Sequence, residues 1–250
     1  MPELPEVETV MQGLKPFLSG KVLKDIKVHR ADLRVPFPAR LSDLKGRKIT
    51  ALTRRAKYIL IHFEEDILVV HLGMSGRMVV HHDMKGHTLE KHDHMVMVMK
   101  DGAGAVFNDP RRFGLVLLLH KDELPLHKSF KDLGPEPLER AFDGKSFYES
   151  IHRKKAPIKT VLLDQHVVAG IGNIYACEAL FASGIDPRKP ASDISAKKAA
   201  DLAAAVKDVL KKAIAAGGSS LKDYRQADGS LGYFQHGFKV YDREGEPCPV

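Results

Sequence analysis

The chain has 250 residues, 44% of them hydrophobic, enough for one large buried core or two ordinary ones. Its 39 Lys and Arg exceed 32 Asp and Glu for a formal charge of +7, which suits a polyanionic partner, nucleic acid first. Cys177 and Cys248 are too few for a disulfide framework, no run approaches the length of a membrane span, and the acidic start MPELPEVE lacks a secretory signal, so a cytoplasmic protein is expected.

Val7, Val10, Met11, Leu14 and Leu18 fall at helical spacing after Pro5, with Glu6 and Glu8 in the first turn and Gly20 ending the pattern. An amphipathic helix therefore opens the chain. From Val22 to about Leu119 the text turns to short β-rich runs: Val22–Val28, Tyr58–Phe63, Ile67–Leu72, Met95–Met99 and Leu115–Leu119. Gly, Asp and Pro separate them, which predicts an antiparallel sandwich or barrel. Pro125, Pro135 and Pro137 mark Lys121–Pro137 as the interdomain linker. Beyond it the pattern is helical. Pro157 suits a first helical position, Asn173 can cap a helix running to Gly184, and an Ala/Lys-rich helix covers about Ser195 to Ala216. Gly217–Gly218–Ser219–Ser220 opens a polar loop, and Tyr233–Tyr241 resembles a strand.

Loss of Met1 would leave Pro2 as a secondary amine with Glu3 beside it. An α-amino group ordinarily titrates at roughly 7.7–8.0, so a neutral, nucleophilic fraction exists near neutral pH. Its attack on a sugar carbon gives an iminium that acidifies neighbouring protons and permits elimination of the adjoining phosphates. Glu3 would move protons and Glu6, one turn on, would organise the site. On the residues alone, Pro2, Glu3 and Pro5 also suit a plain helix start, and Lys57 a surface lysine at a strand end. Gly170–Ile171–Gly172–Asn173 precedes a helix start whose free N–H groups suit a phosphate, although Asn173 also serves as an ordinary cap. Cys177 reads as a core residue, and the histidines from His81 to His94 as a solvated loop without a metal-ligand pattern.

MPELPEVETV at the start, RRAKYIL at Arg54–Leu60, HLGMSGR at His71–Arg77, KHDH at Lys91–His94, NDPRRFG at Asn108–Gly114, LGPEPL at Leu133–Leu138 and GIGNIYACEALF at Gly170–Phe181 follow one another in order. With the stretch from Gly217 to Cys248, they resemble the formamidopyrimidine-DNA glycosylases, bifunctional glycosylase and abasic-site lyases, over essentially the whole chain. The resemblance implies a multidomain α+β fold: an N-terminal helix with a two-layered antiparallel β-sandwich over 1–124, a linker over 125–137, a helix–two-turn–helix domain over 138–240, and at 241–250 the beginning of a zinc-finger hairpin. It implies Pro2 as Schiff-base nucleophile, Glu3 as acid–base residue and Lys57 as a catalytic cation. Met74, Arg111 and Phe113 become the wedge inserted where a nucleotide is extruded from the duplex. His71, His92, Lys155 and Asn173 become phosphate contacts, and Ser219–Tyr224, with Ser220 and Lys222, the loop that closes over an extruded purine.

The expected partner is double-stranded DNA carrying oxidised purines or abasic sites, met by a monomer. Base hydrolysis and β,δ-elimination should need no redox cofactor. A structural zinc belongs to the family's finger, but Cys248 is a single thiolate, and a tetrahedral site cannot be made from it alone; a truncated finger is the expectation. Two alternatives stay open on the sequence: an endonuclease VIII-like enzyme for oxidised pyrimidines, which the Leu4–Glu8 start and the Ser219–Tyr224 loop resemble less, and a catalytically silent damage-binding protein, which intact Pro2, Glu3 and Lys57 argue against.

Overall fold

The structure is a computed structural model that describes residues 1–220 and 225–250. Helix α1 (Leu4–Leu18) buries Leu4, Val7, Val10, Met11, Leu14 and Leu18 along one stripe. It ends where Gly20 takes φ 78 and donates its N–H to the Ile49 carbonyl at 2.8 Å. Eight strands follow: β1 (Leu23–Val28), β2 (Ala51–Arg55), β3 (Tyr58–His62), β4 (Asp66–His71), β5 (Arg77–His81), β6 (Asp93–Met99), β7 (Gly104–Asn108) and β8 (Leu115–His120). They form two four-stranded sheets, β1-β6-β7-β5 and β2-β3-β4-β8, antiparallel throughout. Their inner faces close on α1 in one core that includes Leu52, Ile59, Ile61, Leu68, Met95, Met97 and Phe107.

The expected sandwich is present, with three strands the β-rich runs did not mark: β2, β5 and β7. β2 carries two arginines and β7 begins on a glycine, so neither shows the apolar alternation that identifies a strand in isolation. Sheet neighbours decide them instead.

The second half holds α2 (Gly144–Ile151), α3 (Ile158–Leu163), α4 (Asn173–Ala182) and α5 (Ala196–Ala215). Ser195 caps α5 by accepting the Lys198 N–H at 3.3 Å. These helices share a separate core with Phe142, Phe147, Tyr175 and Leu180, and Leu4 of α1 belongs to it. Helix α1 therefore enters both cores. The segment expected to be a linker is packed: Phe130, with Leu133 against it, covers Leu60, Ile67 and Val69, and Gly134 donates to the Gln165 carbonyl at 2.8 Å.

Two local expectations are corrected. Tyr233–Tyr241 is not a strand; Phe234–Gly237 is a 3₁₀ turn, because Phe234, Phe238 and Tyr241 recur at spacings of four and three, and the Phe238 ring meets each of the other two edge-on. Pro157 stands one residue before α3 rather than at its first position. No helix among the described residues is long and apolar enough to cross a membrane.

Candidate active site and nucleic-acid interface

Pro2 is buried, and Glu3 and Glu6 are 3% and 2% exposed. The Glu3 carboxylate lies at the start of α4, where it accepts N–H groups from Gly172 at 2.7 Å and Ile174 at 2.9 Å. These are free donors at a helix N-terminus, and the helix dipole adds to their attraction. A side chain at position 172 would not fit: a Cβ there would sit 2.4 Å from the Glu3 carboxyl carbon. Gly170, at φ 85, turns the chain so that its carbonyl accepts the Leu4 N–H at 3.0 Å. Gln165 braces the same turn, accepting from the Gly170 N–H and donating to the Ile171 carbonyl, both at 2.8 Å.

Glu6 accepts the Glu3 N–H at 2.9 Å, the Ser219 N–H at 2.9 Å and the Tyr175 hydroxyl. Tyr175 also meets the Ser219 hydroxyl at 3.1 Å. Burial and the neighbouring Glu3 charge push the Glu6 carboxyl up to about 7, against the donors that pull it down. Burial likewise raises Glu3 despite Lys57 and three backbone N–H groups. Two carboxyls side by side in a dry site cannot both ionise freely, so the pair holds a proton near neutral pH.

Lys57 sits in the two-residue turn between β2 and β3 and is 8% exposed. Burial lowers its pKa, while the Glu3 and Glu6 charges support the ammonium. His71, at the end of β4, is held neutral: burial, then the Lys57 and Arg34 charges, lower it to about 4. Its Nδ1 accepts the Gly73 N–H at 3.0 Å, which leaves the proton on Nε2 to donate outward.

Met74 lies in the β4–β5 loop and is half-buried outside every core cluster; Arg111 and Phe113 lie in the β7–β8 loop and are exposed, Phe113 to 49%. Neither Met74 nor Phe113 is a core residue. The Arg111 guanidinium stands 5.0 Å from the Phe113 ring centre. Buried Asp109 ties the two loops together, accepting from the Ser75 hydroxyl at 2.7 Å and the Gly114 N–H at 2.8 Å, while Ser75 accepts the Arg111 N–H at 3.1 Å. Arg112 takes φ 60, so the loop is bent against the preference of its side chain.

Asn173 is exposed as the first residue of α4; the cap itself is Gly172, because the Glu3 carboxylate takes the donors that an asparagine side chain would have satisfied. Lys155 is exposed between α2 and α3 on a cavity of about 590 Å³ shared with Lys154 and Thr160. His92 is half-buried, its carbonyl accepting the Asp109 N–H at 3.0 Å. Ser219 and Ser220 are placed, Ser220 donating its N–H to Gln235 Oε1 at 3.0 Å; Lys222 and Tyr224 lie outside the described residues. Cys177 is half-exposed on a small cavity with Lys159, Phe181 and Val240 rather than in the core, on the stripe of α4 that also carries exposed Asn173 and half-buried Phe181. Cys248 is exposed, and no group of three or more His, Cys, Asp or Glu among the described residues could hold a metal. The residues present do not make a zinc site. Sequence reasoning missed Tyr175, Ser75 and Asp109, although each lies within a motif that carries the resemblance, and it marked the Gly170–Asn173 turn for a phosphate where the Gly172 N–H in fact donates to Glu3.

Two family profiles cover most of the chain and describe the halves of a DNA glycosylase: the formamidopyrimidine-DNA glycosylase N-terminal domain over residues 1–116 and the H2TH domain of the same enzymes over 133–225. A formamidopyrimidine-DNA glycosylase of Ruegeria sp. (strain TM1040) is 52% identical over 99% of this chain and 90% of its own length. One from Caulobacter vibrioides is 49% identical over 100% of this chain and 91% of its own. The crystal structure of MutM (Fpg) from Thermus thermophilus superimposes with TM-score 0.86 at 38% identity, covering 100% of this chain and 90% of that one. A mutant Lactococcus lactis Fpg bound to DNA containing Fapy-dG gives TM-score 0.90 at 34% identity, covering 99% and 91%. The chain belongs to the formamidopyrimidine-DNA glycosylase family.

Proposed function

We infer that this chain is a base-excision-repair glycosylase that removes oxidised purines, formamidopyrimidines and 8-oxoguanine, from duplex DNA and then cuts the strand by β,δ-elimination. The observation that carries its chemistry is the Glu3 carboxyl: buried beside Pro2, raised in pKa, and charge-coupled to Lys57. With Met1 removed, the neutral Pro2 nitrogen attacks C1′, the glycosidic electron pair leaves with the base, and the proton that the amine sheds balances the one the base takes up. Glu3 delivers a proton to the ring oxygen as it departs, leaving an iminium between Pro2 and C1′. Loss of a C2′ proton then expels the 3′ phosphate, and loss of a C4′ proton the 5′ phosphate. Lys57 steadies the developing phosphate charge, and Glu6 holds Glu3 in place and keeps the pair's shared proton.

The extruded nucleotide leaves a gap that Met74, Arg111 and Phe113 fill, consistent with the exposure of Arg111 and Phe113, with half-buried Met74 lying outside the core, and with Asp109 locking the two loops together. Asn173, Lys155, His92 and the neutral, Nε2-protonated His71 serve as phosphate donors, and Ser219–Ser220 begin the loop over the purine. We place the domain boundaries at 1–124 and 138–240, with 125–137 between them.

Borohydride trapping tests the reading. Lesion DNA should yield a covalent adduct on the N-terminal peptide, Pro2→Gly should reduce it sharply, and protein shown by mass to retain Met1 should give none, because an amide nitrogen is not nucleophilic. An adduct mapping to Lys57 would sink the assignment. An excision preference for oxidised pyrimidines over 8-oxoguanine would move the enzyme to the endonuclease VIII type.

A further inference from the structure

The motifs RRAKYIL and LGPEPL meet in the structure, and apart from Lys57 none of their residues carries an assigned step. Glu136 is 6% exposed and collects three partners from the β2–β3 corner. Its Oε1 accepts the Ala56 N–H at 2.6 Å and Arg55 Nη1 at 2.9 Å, and its Oε2 pairs with Arg54 Nη2 at 2.7 Å. Arg55 Nη2 donates to the carbonyls of Leu133 at 2.9 Å and Gly134 at 2.7 Å. Arg54 reaches the other way, donating from Nε to Glu8 Oε2 at 2.8 Å and from Nη1 to the Ala56 carbonyl at 2.9 Å. Two arginines and two glutamates thus balance in charge around one peptide. Burial alone would raise the Glu136 carboxyl, but the arginine charges and the Ala56 N–H hold it below the usual glutamate range.

The peptide so gripped is unusual. Ala56 is buried at φ 50, in the left-handed region that a β-carbon disfavours, and both its N–H and its carbonyl are held by this network. Lys57 is the next residue, and the direction in which it leaves the turn is set by the Ala56 dihedrals. A type of turn that glycine or asparagine would adopt freely is imposed here on alanine by a carboxylate from the junction between the two halves.

We propose that Glu136 is a positioning residue for strand cleavage: by holding Ala56 in the left-handed conformation it aims the Lys57 ammonium at the reacting nucleotide. The proposal rests on Lys57 being the cation of the lyase step. A clamp that merely joins the two halves would have no need to grip the Ala56 N–H, which is interior to a two-residue hairpin turn.

The test is single-turnover cleavage of a preformed abasic site, with DNA affinity and Tm measured in parallel. E136A should slow cleavage by roughly 10- to 100-fold with affinity changed less than about threefold, the scale expected for a misplaced catalytic group. In E136A/A56G the glycine enters the left-handed region without help, so at least tenfold of the rate should return while Tm stays low. E136Q, which keeps an acceptor for the Ala56 N–H but drops the charge facing the arginines, should lower Tm and keep most of the rate; it also serves if E136A does not fold. A double variant as slow as E136A, a recovery that follows Tm, or E136Q as slow as E136A would each overturn the proposal. K57A separates the two levels: full-rate cleavage by K57A removes the Lys57 reading and this proposal with it, whereas slow K57A beside full-rate E136A removes the proposal alone.

Discussion

Glu3, Glu6 and Lys57 are at most 8% exposed, whereas Phe113 is 49% exposed, and different lengths of chain hold the two sets. The carboxylates are fixed by Gly172, Ile174, Tyr175 and Ser219, far along the sequence in the helical half. The wedge is fixed locally. Its loops connect β4 to β5 and β7 to β8, crossing between the sheets, and Ser75, Asp109 and Gly114 bind them at short range. The chemistry proposed for the buried set must exclude water and is built from both halves of the molecule, while the insertion proposed for the wedge needs exposed side chains on a stiff local mount.

Removing a group from the buried set should cost most. Glu3→Gln should lower base excision by about 10²–10⁴-fold, the usual weight of a proton-transfer group, with duplex binding nearly unchanged in titration. If binding falls with the rate, Glu3 is chiefly a strut between the halves. Gly172→Ala adds a methyl 2.4 Å from the Glu3 carboxyl carbon and should reproduce much of that loss, on the order of 10²-fold, by moving the acid rather than deleting it. Wild-type activity in that variant would mean that the carboxylate's seat at α4 is not needed.

The wedge should give smaller, more separable effects. Asp109→Asn removes the anion that accepts from both Ser75 and Gly114 and should slow excision from duplex DNA by roughly tenfold, the cost of a mispositioned loop. Cleavage of an abasic site in single-stranded DNA, where no gap needs filling, should be spared. Phe113→Ala should weaken lesion-duplex affinity about tenfold through lost stacking, yet shift stability by no more than about 0.5 kcal/mol because the ring is exposed. A large fall in Tm would put Phe113 with the buried set after all.

The smallest effect concerns pH. Glu6 is raised from 4.5 to about 7 in the fold, so its contribution to stability is full below pH 4.5 and is lost as pH rises through about 7. Wild-type Tm should therefore fall relative to Glu6→Gln as pH rises over that window. Parallel curves would show that the proton resides elsewhere in the pair.

The periodicity of α1, the apolar β-runs and the Ala/Lys-rich α5 were legible because each shows its period within a dozen residues. The motifs that run in order also singled out Pro2, Glu3 and Lys57, and the structure buries all three. The strands β2, β5 and β7 were hidden because sheet neighbours rather than local alternation define them. The cap of α4 was misplaced for a related reason: its donors are taken by a carboxylate some 170 residues away, which no local window contains. The phenylalanine spacing in 234–241 carried the turn, but Tyr233, Val240 and Tyr241 look like strand residues when taken singly.

Leu4, docked under Gly170, has a consequence for biosynthesis. The partners of the chain start, from Gly170 to Tyr175, emerge from the ribosome only after about 170 further residues, which takes roughly 10–30 s at ordinary elongation rates. Through that interval the helical half cannot cover Pro2, whereas in the finished fold the proline is buried and only Met1, at 51% exposure, stands free. Trimming should therefore be easier during translation than after folding. Ribosome-arrested chains stopped before residue 170 should lose Met1 readily, whereas refolded full-length protein that kept its methionine should be trimmed slowly by the same peptidase and should stay inactive until it is.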